Sequence, residues 1–216
     1  ALARHAAFAP GSPGIAGLAP ERRARIETAL ARRGIPAADI ARLKPWMLVT
    51  VLAVDDAVKL GYYPAHGVDS HLARLARENT SRKTRIAELE TMEYQAALLN
   101  RLPDEAQWRL LEETLEHMDS GRQQRETREL FEAYDRADQA ALEAIAARMD
   151  SDDSLSGKYL RELLLDERNG PMADKIAALL AREHNAVVAV GLLHLVGKRG
   201  VPELLRRRGI KVERVY

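Results

Sequence analysis

The sequence predicts an α/β fold: a small sheet of few strands surrounded by about nine helices, arranged in layers around one core. Two observations carry that prediction. Most of the chain shows apolar residues at helical spacing. Three short runs, Arg85–Glu90, Ala186–Gly191 and Ile210–Tyr216, read as strands separated by helices. At 216 residues one domain is the default, here residues 20–216 behind a flexible entry segment over residues 1–19.

The entry segment mixes small residues with Pro and Gly and shows no sustained period, so no core is expected in it. Pro20 suits the first position of a helix in which Ile26 and Leu30 fall four apart, and Gly34 follows where a C-terminal cap belongs. A short helix near Ala37–Leu43 leads into a run from Pro45 to Gly61 that is apolar on nearly every side and is expected at the centre. The next helix, ending about Glu78, carries Leu72, Leu75 and Ala76 on one stripe. Thr91 caps a helix reaching Arg101, and Pro103 opens another with Trp108, Leu111, Leu115 and Met118 in register.

Residues 120–150 are strongly charged, with a stripe through Leu130, Tyr134, Leu142 and Ile145 that suits a helical hairpin lying over the core. Ser151–Gly157 is a break, followed by helices near Lys158–Asp166 and Pro171–Arg182. Pro202–Arg208 reads as a short helix closed by Gly209 ahead of the last strand.

Composition removes several classes of function. Lys and Arg total 33 against 32 Asp and Glu, and a formal charge of +1 gives no global field for nucleic acid or an anionic membrane. The absence of cysteine excludes thiolate metal sites, disulfides and cysteine nucleophiles. The longest apolar run is far short of the roughly 20 residues of a membrane span, so no transmembrane segment is expected. Phosphate-binding loops, the serine-hydrolase elbow and calcium loops are absent. The chain opens on alanine without a secretory signal in view, which leaves room for an upstream segment.

Candidate chemistry gathers at the ends of two expected strands. His194 closes an apolar run, with Gly191 three positions before it to let the backbone turn or approach a ligand. Glu90 ends Arg85–Glu90 in the same way, so parallel neighbouring strands would bring carboxylate and imidazole to one sheet edge, as a divalent-metal or proton-transfer pair. The bland alternatives are a core histidine satisfied by hydrogen bonds and an acid at a helix N-terminus. Gln95 reads either as a ligand-orienting group or as a surface residue. Asn169 reads as a helix cap ahead of Pro171 or as a positioning group, and Arg168 as a grip on a carboxylate, either Glu90 or a substrate. His5, His66, His71, His117 and His184 show no paired ligand spacing and read as surface residues.

The blocks KPW (Lys44–Trp46), GVDSHLARLA (Gly67–Ala76), LETMEYQAALL (Leu89–Leu99), AYDRADQAALEAI (Ala133–Ile145), LLLDERNGPMADKIAALL (Leu163–Leu180) and the stretch Val187–Val215 together resemble the TraB/GumN family, distantly related to the Tiki metalloproteases. The Gly-x-x-His and Leu-Glu-Thr-x-Glu blocks are the specific ones. The resemblance implies an erythromycin-esterase/ChaN-like α/β fold, a metal-dependent hydrolase of peptidase type with a peptide or protein substrate, and location in the periplasm or cell envelope. It implies that His194 and Glu90 hold a divalent ion (Mn, Co or Zn) and are catalytic, while Gln95, Arg168 and Asn169 position the substrate.

One departure stands out: the family's first strand, with its own Gly-x-x-His, finds no counterpart near the N-terminus, so the expected site is one ligand short and the sheet short of strands. Three readings follow: a metal-dependent hydrolase; a non-catalytic binding protein of the envelope or of polysaccharide assembly, self-associating through an open sheet edge; and a haem or small-ligand protein with His194 as axial ligand.

Overall fold

The computed structural model describes residues 2–79, 84–183 and 185–215. His184 and Tyr216, both singled out in the sequence, lie outside them. In chain order the helices are α1 Leu2–Ala6, α2 Pro20–Ala31, α3 Ala37–Arg42, α4 Pro45–Lys59, α5 Val68–Glu78, α6 Met92–Leu99, α7 Asp104–Asp119, α8 Arg122–Asp135, α9 Gln139–Asp150, α10 Leu155–Lys158, α11 Glu167–Leu180 and α12 Val201–Arg207.

The expected α/β fold is overturned, because no sheet forms among the described residues. Pairing is limited to one isolated antiparallel bridge, Ala7 with Leu43, and no ladder joins the three expected strands. The physical reason is that β-branched composition marks a chain that fits a half-buried surface, not one that has found a ladder partner. Leu89, Val190, Ile210 and Val212 find that surface by packing on α11 and α12, while Val187 and Val215 stay 80% and 87% exposed. Without a sheet there is no sheet edge, and the self-association expected through one loses its basis among the described residues.

The chain divides into two compact units. The first comprises Ala1–Asp56 and Met92–Arg125. Its core joins Ile26 and Leu30 of α2, Leu48 and Leu52 of α4, and Trp108, Leu111 and Leu115 of α7, the helical spacings read in the sequence. The entry segment differs from expectation: Ile15, in a 3-10 turn over Gly14–Gly17, is buried in that core with Phe8 packed against it. Arg22 clasps α7, giving Nε and Nη2 to Glu112 at 3.0 and 2.8 Å and Nη1 to Glu105 at 2.8 Å. Asn100 Oδ1 accepts from Lys44 Nζ at 2.8 Å and from Trp46 Nε1 at 3.1 Å, which gives the buried indole its polar partner.

The second unit comprises Ala57–Thr91 and Glu126–Tyr216. It holds two apolar clusters. One is built on the α8–α9 hairpin from Ala133, Leu142 and Ile145, with Leu192 and Val196 against it. Asp138 caps α9 by accepting from the Ala141 amide at 3.0 Å. Tyr134, placed on the apolar stripe by the sequence, is 46% exposed instead. The other cluster joins Met172, Ala173 and Ile176 of α11 to Val201 and Leu205 of α12.

Between Ser154, whose hydroxyl accepts from the Gly157 amide at 3.0 Å, and Leu180 the helix is continuous. Its middle, Tyr159–Asp166, winds as a π-helix. Pro171 therefore opens no helix; it lies inside α11, about one turn after the winding changes from π to α. Arg161 of the π segment donates to the carbonyls of Met149, Asp150 and Asp152 at 3.0, 3.3 and 3.0 Å, closing the end of α9.

Candidate functional site

Val190 packs in one cluster of the second unit and Leu192 in the other, so the chain ahead of His194 is pegged on both sides. The next three residues, Leu192–His194, form a 3-10 turn closed by the His194 amide donating to the Gly191 carbonyl at 3.0 Å. Gly191 has φ of −58°, which any residue adopts, and a Cβ there would meet His194 Cδ2 at an ordinary 3.7 Å. Its role in the turn is thus carried by its carbonyl and requires no glycine.

The His194 ring is buried, 5% exposed, with Nδ1 at 2.6 Å from Asn169 Oδ1. Asn169 Nδ2 donates to the Arg199 carbonyl at 2.8 Å. A carbonyl only accepts, so the amide nitrogen must face Arg199 and the amide oxygen the ring. The imidazole proton therefore sits on Nδ1, and Nε2 carries the lone pair. The Arg199 carbonyl is itself held in place, because the Arg199 guanidinium pairs with Asp166 at 2.6 Å and Asp150 at 3.0 Å. Burial pushes the Asp166 carboxyl upward, with Arg199 opposing.

Burial, then the positive charge of Arg168, push the His194 pKa down to about 4, with Glu90 pulling the other way. The ring is neutral at ordinary pH. An unfolded chain protonates this histidine near 6.5, so the unfolded state binds more protons between about 6.5 and 4. The contribution of His194 to stability is expected to be complete above pH 6.5, to be lost as pH falls through that window, and to level off below it. Urea midpoints against pH check this: a His194→Gln variant should lack the slope between pH 6.5 and 4, and an unchanged slope would refute it.

Glu90 follows Leu89, which is half-buried and packs against the α11–α12 cluster. Its side chain is 4% exposed, and Oε2 accepts from both Nε and Nη2 of Arg168, at 2.9 and 2.8 Å. Arg168 Nη1 donates to the Leu164 carbonyl at 2.9 Å. Seven residues further along α11, Lys175 Nζ donates to the Leu89 carbonyl at 2.5 Å, so one face of the helix holds residues 89 and 90. Of the two partners the sequence left open for Arg168, the structure gives it Glu90.

Arg168 and Asn169 are consecutive, so their side chains leave the helix about 100° apart. One goes to the carboxylate and the next to the imidazole. Asn169 lies inside α11 and caps nothing; its amide is spent on His194 and Arg199. Gln95, half-buried in α6, belongs to the first unit, whereas Glu90, Arg168, Asn169, Gly191 and His194 all belong to the second. Nothing in the sequence links Asn169 to His194 or to the Arg199 carbonyl, and sequence reasoning missed both bonds.

Among the described residues no group of three or more His, Asp or Glu side chains is placed to hold a metal ion. Two donors of the right kind are present in the second unit. The neutral His194 Nε2, with Nδ1–H bonded to an amide oxygen, has the outer support that metal-binding imidazoles use. Glu90 is a carboxylate already engaged by a guanidinium.

Fold and site define a helical protein in which one turn of one helix orients a buried neutral imidazole and grips a buried carboxylate. The chain belongs to the TraB/PrgY/gumN family, whose model matches residues 1–214. It is similar to the uncharacterized protein YbaP of Escherichia coli (strain K12), 30% identical over 164 residues that cover 74% of this chain and 56% of that protein. YbaP of Shigella flexneri matches to the same extent. The chain thus spans little more than half the length of the curated relatives it matches. No solved structure matches it.

Proposed function

We propose that the second unit carries part of a metal-dependent hydrolytic centre, peptidase-like in chemistry, in which His194 Nε2 and Glu90 are ligands of a divalent ion. The observation that carries this reading is the Asn169–His194 bond, which fixes the ring in one tautomer with Nε2 unprotonated. A ring whose pKa has dropped to about 4 is a poor proton acceptor at neutral pH, because a general base works best near the operating pH. The same drop suits a ligand, since no proton competes for the lone pair.

The donor types fit a divalent ion, although two are fewer than the roughly three protein ligands of hydrolytic zinc sites. Such an ion, when bound, supplies an acidified water and polarises a carbonyl. Asn169 holds the imidazole, Arg168 sets the position of Glu90, and the Arg199 carbonyl keeps Asn169 from turning over.

Metal content and peptide hydrolysis of the purified protein test the reading. His194→Ala is expected to abolish metal retention and hydrolysis. Asn169→Ala is expected to weaken metal affinity by about 10- to 100-fold, the usual effect of removing such outer support. Metal content unchanged by His194→Ala overturns the assignment.

A further inference from the structure

We propose that α5, Val68–Glu78, is a membrane-surface helix that lays its apolar stripe into the headgroup layer of an anionic phospholipid bilayer. At about 100° per residue, Val68, Leu72, Leu75 and Ala76 fall within an arc of about 100° on one side of the helix. Arg74 and Arg77 take the other side, the division found in helices that lie in a membrane interface. The stripe is left largely to solvent: none of the eleven residues is buried, Val68 is 55% exposed and Leu75 is 46% exposed.

Charge selects what covers it. By sequence, residues 59–85 hold six Lys and Arg against two Asp and Glu, while the rest of the chain is net acidic. The protein as a whole, at +1, has no field to draw it to a membrane, but this segment carries a local one. Two copies meeting at this face would set surplus positive charge against its like. Anionic headgroups are complementary to it.

The start of the helix has the polar groups that a headgroup requires. A cleft of about 460 Å³ is lined by Ala65, His66, Val68, Ser70, His71 and Arg74. Arg74 Nη1 donates to Glu78 at 2.8 Å and Nη2 to His71 Nδ1 at 3.1 Å. A guanidinium only donates, so the His71 proton sits on Nε2. The cleft thus offers a hydroxyl, a ring N–H and a guanidinium, donors suited to a phosphodiester oxygen. Tyr63, half-exposed and edge-on to His66 at 5.6 Å, adds an aromatic ring of the kind enriched at membrane surfaces. Tyr62 moors the segment to α8, where its hydroxyl donates to Asp135 and its ring centre lies 4.0 Å from that of Phe131.

Co-sedimentation of the full chain with vesicles tests the proposal. Vesicles of equal parts phosphatidylglycerol and phosphatidylcholine are expected to carry the protein down, and vesicles of phosphatidylcholine alone to leave it in solution. Added salt should release it, because screening weakens the attraction. Arg77→Gln is expected to weaken the partition by about fivefold, the effect of one basic residue near an anionic surface. Leu75→Ser is expected to weaken it by about tenfold, from the loss of one leucine's transfer out of water.

Equal uptake by both vesicles, uptake by neither, or uptake unmoved by Leu75→Ser overturns the proposal. So does a dimer, seen by sedimentation velocity without vesicles, that Leu75→Ser dissolves, since the face would then belong to a second copy. Should Leu75→Ser lose helical content by circular dichroism, Arg77→Gln carries the test, and a partition unmoved by it overturns the proposal.

Discussion

Replacing Glu90 by alanine is expected to lower the free energy of unfolding by about 3–5 kcal/mol, the cost of stranding one member of a buried ion pair. The side chain lost is 4% exposed and the guanidinium left behind is 16% exposed, so water cannot readily take over the missing carboxylate. A matched apolar pair, Glu90→Leu with Arg168→Met, should recover most of the loss, since exchanging a whole buried pair for packed apolar groups is often neutral. Urea unfolding followed by far-ultraviolet circular dichroism gives the cycle. If Glu90→Ala alone costs under about 1 kcal/mol, the pair behaves like an exposed one and its burial has been misjudged.

In the first unit, Leu111→Ala is expected to cost about 3–5 kcal/mol, the range for truncating a leucine whose surroundings cannot collapse. Leu111 is fully buried among Ile26, Leu30, Leu48 and Trp108, drawn from α2, α4 and α7, so the cavity is walled by several helices at once. The chain has two tryptophans, Trp46 and Trp108, both buried and both in this unit. Their fluorescence therefore reports this core directly. A Leu111→Ala midpoint that stays put in fluorescence would show that the residue does not support the core assigned to it.

The helices were largely legible in the sequence because their apolar residues repeat at the period that buries them. Ile26 with Leu30, and Trp108 with Leu111 and Leu115, reach the core as that period requires. Strand-like runs were not legible in the same way. A helix satisfies its own backbone, whereas a strand needs a second segment, and no local property of Ala186–Gly191 or Ile210–Val215 says whether one is there.

The same limit applies at the site. Arg168 with Glu90 could be read from charge, because a buried carboxylate calls for a cation. Asn169 with His194 could not, because capping explains an asparagine before a proline equally well, and 25 residues separate the two. The π winding of Tyr159–Asp166 left no trace in the residue pattern.

That winding has a consequence for how the chain tolerates change. A π turn accommodates an extra residue inside an otherwise ordinary helix. If Tyr159–Asp166 wound as an ordinary α-helix instead, everything downstream would be turned relative to α10, because the two coils advance by different angles per residue. Arg168 would then be carried off its carboxylate and Asn169 off its ring, with neither residue altered. The winding of that stretch, more than the identity of the residues filling it, is what aims the site.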